Sequence, residues 1–223
     1  MSRMEFSLYL RYGPSLAGGF AVTLACWFAG AGIGIVIGFC IALLQRVPFV
    51  WLTTLTRAYI EIVRGTPFLV QLFLLYDGGP AIGLRLDATT TGIIALGIYG
   101  SAYFAEIFRG GFAAVPPGQV EAATSLGMAP WTIMRRIRLP IMLVAIAPAL
   151  TNMLIILSKE TVVLSIITVP ELMYQMQTMA AETFAAFETI LAMALLYWVM
   201  VELVARLGVL IERRVTAYML VPA

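Results

Sequence analysis

The sequence predicts an all-α membrane protein of five transmembrane helices in a single domain spanning residues 1–223, and three observations carry that reading. Of 223 residues, 61% are hydrophobic and only 12% charged. An ordinary soluble domain carries about 25% charged residues, and half that fraction cannot solvate a globule of this size. Five stretches approach the roughly 20 apolar residues that a bilayer-crossing helix needs. The arginines gather beside alternate ends of those stretches, as the bias of basic residues toward cytoplasmic loops requires.

The first stretch, residues 18–44, is closed by Gln45, Arg46 and Pro48. Its glycines Gly30, Gly34 and Gly38 recur every fourth residue, a spacing that lets a neighbouring helix approach closely. The second, residues 54–76, holds Glu61 and Arg64, then Gly65, Thr66 and Pro67, before a short apolar run. Glu61 and Arg64 are three apart and able to pair on one helical face. Pro67 removes a backbone hydrogen bond, which predicts a kink. The third, residues 91–112, carries Glu106 and Arg109 at the same spacing. The fourth, residues 139–157, starts with a proline in its first turn and contains Asn152. The fifth, residues 184–211, is followed by Glu212, Arg213 and Arg214.

The connection 113–138 is too polar to span. Pro116, Pro117 and Gly118 stop the preceding helix, and residues 119–126 read as a short helix. Gly127 is expected in the left-handed conformation at its end, with Pro130 opening the next helix. Arg135, Arg136 and Arg138 put this helix-turn-helix in the cytoplasm. Counting crossings from there leaves the N-terminus outside and the C-terminus inside, with Arg3 and Arg11 mildly against the rule. The outer connection 158–183 is apolar, so it reads as re-entrant or packed against the helices.

Composition also excludes. The net charge of +2 gives no support to a nucleic-acid partner, and the absence of histidine removes histidine-based catalysis and most transition-metal sites. Cys26 and Cys40 are about 21 Å apart along one helix, too far to bridge. No cleavable signal peptide is evident, since the first long apolar run exceeds a signal core in length.

The segment Glu121, Ala122, Ala123, then Gly127, then Ile137, Leu139 and Pro140 resembles the EAA motif of ABC importer permeases. Three further segments resemble the polar amino acid (histidine/glutamine/arginine) permeases of that family. They are Arg64-Gly65-Thr66-Pro67 with Gln71, Tyr103 to Glu106 and Arg109-Gly110, and Lys159-Glu160-Thr161. Relatives usually carry Asp where Glu160 stands. The resemblance implies the type I, MetI-like permease fold in a bacterial inner membrane. It implies two permease chains, identical or different, forming a pore for amino acids or related polar solutes. It further implies separate ATPase subunits beneath, docked through the loop 118–138, and an extracytoplasmic solute-binding protein above. Glu121, Ala122, Ala123 and Gly127 are then the ATPase-coupling residues.

On this reading the chain is not an enzyme and binds no cofactor itself; ATP and magnesium belong to the partner ATPase. A phosphate-binding loop needs Gly-x-x-x-x-Gly-Lys, and the sole lysine, Lys159, has no such glycines before it. A lone channel or secondary transporter leaves the EAA segment unexplained, and an intramembrane protease lacks its histidine or paired aspartates. Candidate substrate residues are Gln71, Tyr103, Glu106, Asn152, Glu160 and Thr161, with an interhelical structural role as the alternative for each. Asn152 and Glu160 are expected to share a face that looks into the bundle, because polar groups are costly toward lipid.

Overall fold

The computed structural model describes the backbone of residues 6–217 and the side chains of residues 10–214. Arg3 and the remainder of the N-terminal segment before it lie outside the described residues. The described chain is helical throughout: α1 (Phe6–Leu44), α2 (Val50–Gly65), α3 (Phe68–Tyr76), α4 (Ala88–Ala113), α5 (Pro117–Ser125), α6 (Pro130–Ile133), α7 (Leu139–Glu160), α8 (Leu172–Thr183) and α9 (Ala186–Ala217). Four runs are long and apolar enough to cross a membrane: Leu10–Leu44, Ala88–Ala113, Pro130–Ile167 and Ala186–Arg214. A fifth is the α2–α3 pair taken as one broken span.

The largest helix interface joins α1 to α4, and glycine permits it. A Cβ at Gly38 would lie 2.7 Å from Phe104 Cβ and 2.8 Å from the Ala105 nitrogen. In the same row a Cβ at Gly30 would lie 2.6 Å from Leu96 Cβ, and one at Gly34 3.2 Å from the Phe104 ring. The expected small-residue stripe is therefore the packing surface. Phe104, Leu96, Leu72 and Leu157 are fully buried around it, and Trp27 on α1 donates to the Leu154 carbonyl on α7 at 3.0 Å.

At Pro67 the chain departs from a kinked helix. α2 and α3 are separate helices bent by 103°, with Thr66 and Pro67 in extended conformations between them. Two requirements combine there. Proline has no N–H to continue the α2 ladder, and it forces the preceding residue out of the helical region. Gln71 then satisfies the carbonyls that the break exposes, its Nε2 donating to Val63 O at 2.7 Å and Thr66 O at 2.9 Å.

The fourth span starts earlier and ends later than its apolar stretch. α6 runs through one π-helical turn, Met134–Arg138, into α7. Pro140 has no N–H for the Arg136 carbonyl, and Leu139 reaches back five residues to Met134 instead. Beyond Glu160 the chain tightens into a 3-10 turn, Thr161–Ile167. The apolar connection 158–183 is packed, as expected. Leu164, Ile167, Val169, Leu172, Met176 and Met179 are buried, and α8 lies against α1 and α9.

Candidate functional site

The two motifs that carry Arg64 and Glu106 meet in space. Along α4, Glu106 and Arg109 follow one another by a turn, and Arg109 donates two parallel bonds to the Glu106 carboxylate, at 2.9 and 2.8 Å. Arg64 reaches the same carboxylate from the end of α2 at 3.8 Å, and its guanidinium lies over the Tyr103 ring at 5.3 Å. Arg64 therefore pairs across helices. Glu61, expected as its partner, forms no ion pair among the described residues. Tyr59, one turn before Val63, shares a 2.6 Å hydrogen bond with Ser101 of α4. The region around the α2–α3 bend is thus pinned to α4 by a polar knot, with the Tyr99 ring tilted against those of Phe68 and Tyr103.

The remaining substrate candidates fall elsewhere. Gln71 closes the bend and lines a cavity of about 290 Å³ with Leu74 and Ile98. Its Oε1 is buried without a hydrogen-bond partner. Asn152 does not look into this chain's own bundle: its side chain is exposed, and so is Lys159, seven residues on. At ~100° per residue, Lys159 sits about 20° from Asn152 around α7 and Glu160 about 80° away. Glu160 is accordingly half-buried. Thr161 is fully buried, its hydroxyl donating to the Ser158 carbonyl at 2.8 Å. Of the six candidates, Tyr103 and Glu106 come together; among the described residues no hydrogen bond or ion pair joins Asn152, Glu160 or Thr161 to them.

The hook between α4 and α7 has the form its sequence predicts. Pro117 opens α5, Gly127 ends it at φ +72°, and Pro130 opens α6. Glu121 and Ala122 are exposed, while Ala123 is buried against the hook. Sequence reasoning missed the apolar residues beside the turn: Leu126 is 82% exposed and Trp131 71% exposed. It also missed Glu171. That carboxylate is fully buried, accepts from the Tyr174 N–H at 2.8 Å to cap α8, and accepts from Thr23 of α1 and Tyr197 of α9. Being the one acidic residue between Thr161 and Ala181, it could have been singled out. Its partners lie too far along the chain for spacing to reveal.

Residues 34–217 match the family of binding-protein-dependent transport system inner membrane components. The chain belongs to this family of ABC importer permeases. Similar relatives include a probable amino-acid ABC transporter permease protein, YckA, of Bacillus subtilis, 35% identical over 92% of this chain and 91% of that one. Another is the arginine transport system permease protein ArtQ of the same organism, 31% identical over 95% and 97%. The permease aligns with a chain from the crystal structure of an amino acid ABC transporter with histidines. That match has a TM-score of 0.87 and 38% identity, covering 96% of the permease and all of the other chain. An inward-facing MetNI methionine transporter chain shares the fold at TM-score 0.75 and 22% identity. The type I, MetI-like architecture is therefore that of this permease. It is a multi-pass membrane protein and a transport subunit, with ATP hydrolysed on a separate chain. Partnership with an ATPase and a binding protein follows from the family in general terms.

Proposed function

We propose that this permease forms, with a second permease chain, the membrane pathway of an ATP-driven importer for amino acids or closely related polar solutes. The observation that carries the coupling half is the exposed hook. Leu126 and Trp131 leave large apolar surfaces uncovered beside a rigid turn, and soluble-facing apolar surface of this kind marks a partner site. The partner is the ATPase, with Glu121 as the charged contact and Ala122 small enough to sit deep in a groove. The nucleotide and its magnesium stay on that ATPase. The hook faces the cytoplasm, so the C-terminus is inside and the N-terminus outside, where a solute-binding protein delivers cargo.

The uncovered Asn152–Lys159 face of α7 supports the pathway half. A mid-span amide and an ammonium turned toward lipid are costly, so this face meets the second permease chain and the solute between them. Relatives named as amino-acid, arginine and glutamine permeases support the solute class.

Affinity purification of the full chain from membranes, with mass-spectrometric identification of its companions, tests the assembly. ATPase stimulation by single amino acids plus the binding protein then tests the solute. An ATPase subunit and amino-acid stimulation are expected. Recovery without any ATPase chain, or stimulation only by sugars or metal ions, contradicts the proposal.

A further inference from the structure

Away from the α7 face, a polar cavity of about 230 Å³ opens where α1 and α4 end and α2 begins. It is lined by Gln45, Arg46, Thr53, Arg57, Arg109 and Phe112, among others. Three exposed arginines face this one small concavity and give it a positive field that attracts anions. Of the three, Arg109 is held by Glu106, and that carboxylate is the cluster's one acidic partner. Arg46 and Arg57 form no ion pair among the described residues. Arg46 instead lies over the Phe112 ring at 4.9 Å. Burial, and then the nearby charge of Arg138, hold its guanidinium below the usual range, so a fourth arginine adds to the same field.

Two features point to what the cavity takes. Gln45 lines its wall, with its Oε1 buried and without a hydrogen-bond partner. The Thr53 hydroxyl lies in the same wall, donating to the Phe49 carbonyl at 3.3 Å. The forked guanidinium donors of Arg46, Arg57 and Arg109 match the tetrahedral oxygens of a phosphate. Just beyond, Phe49, Val50, Trp51 and Leu55 at the start of α2 are all more than half exposed. An aromatic pair in that position is what the membrane–water boundary selects.

We infer that this cavity is a phosphate-binding site at the membrane boundary, occupied by the phosphate group of an anionic phospholipid or by free phosphate. The ATPase hook does not include these residues, and only Arg109, through Glu106, is shared with the α2–α4 cluster. The site contributes by neutralising the arginine cluster and fixing the α1–α2 connection against α4.

The test uses the purified full chain in detergent. Native mass spectrometry with phosphatidylglycerol or phosphatidylcholine measures lipid retention, and a ³¹P titration measures inorganic phosphate. Variants are the double substitution Arg46→Gln/Arg57→Gln and, separately, Thr53→Asp, which places a carboxylate in the wall while keeping every arginine. Either variant folding like the wild type suffices. Phosphatidylglycerol retained over phosphatidylcholine by about tenfold or more, and lost in the variant, supports the site with lipid as source. Phosphate binding lost in the variant without a lipid preference supports it with free phosphate as source. Binding of both probes unchanged by the variants, or absent in the wild type, overturns the site. If the variants instead reduce only ATPase copurification, the cavity is part of a protein interface and the inference fails.

Discussion

The Glu106 carboxylate is shared by two arginines from different helices, chelating Arg109 on its own helix and facing Arg64 of α2 at 3.8 Å. Arg64 also rests on Tyr103, so its position depends on a planar, delocalised cation. Both guanidinium groups are about half exposed, which limits the stabilisation. A double-mutant cycle of Arg64→Gln and Glu106→Gln is expected to give a coupling of about 0.5–1 kcal/mol. Arg64→Lys should recover less than half of it, since an ammonium loses the stacking. Thermal unfolding of the purified chain measures this, and a coupling of zero would mean the two helices are held by packing alone.

The α1–α4 interface makes a sharper contrast within one helix. Gly38→Ala places a methyl against α4 backbone, and destabilisation of about 1–3 kcal/mol is expected. Gly32 has nothing within 4 Å of its Cβ position, and Gly32→Ala should be neutral or stabilise by up to about 1 kcal/mol, as alanine does in an exposed helix interior. Equal effects at the two positions would contradict the packing described.

Gln71 was a substrate candidate and is placed as a structural donor. Gln71→Glu is nearly isosteric but cannot donate, leaving the Val63 and Thr66 carbonyls unpaired at a cost of about 1–3 kcal/mol. Reduced stability with an unchanged order of amino-acid competition is expected in Gln71→Glu. A changed competition order at normal stability would restore the substrate role.

Much of this fold was legible because the controlling interactions are local. The Gly30–Gly34–Gly38 row, the proline–glycine punctuation of the hook and the left-handed Gly127 each follow from residue type and spacing. Where the outcome depended on distant partners, it was not. Pro67 announces a break, but the 103° angle needs Gln71 to receive the freed carbonyls. Arg64 has an acid three residues away and another on a different helix, and only packing chooses Glu106. Glu171 joins Thr23 and Tyr197 across the length of the chain. The exposure of Asn152 was misjudged for a different reason: one chain is only part of the wall, so a polar face need not point into its own bundle.

That exposed face yields its own expectation. Asn152→Leu should leave the purified chain as stable as the wild type, because the amide makes no hydrogen bond among the described residues, while transport falls or its amino-acid preference shifts. Uptake competition by basic, neutral and acidic amino acids reads the preference. Lower stability with unaltered competition would assign Asn152 to helix assembly.

This chain is expected to carry amino acids only when its hook engages an ATPase. The direct measurement is uptake of radiolabelled amino acids into proteoliposomes holding the complete complex, with the solute-binding protein outside and ATP inside. The account predicts uptake that requires both, that is abolished by Glu121→Lys in the hook, and that loses the ATPase chain or its stimulation in that variant. Uptake that persists without ATP, or that proceeds normally in Glu121→Lys with the ATPase still bound, would contradict it.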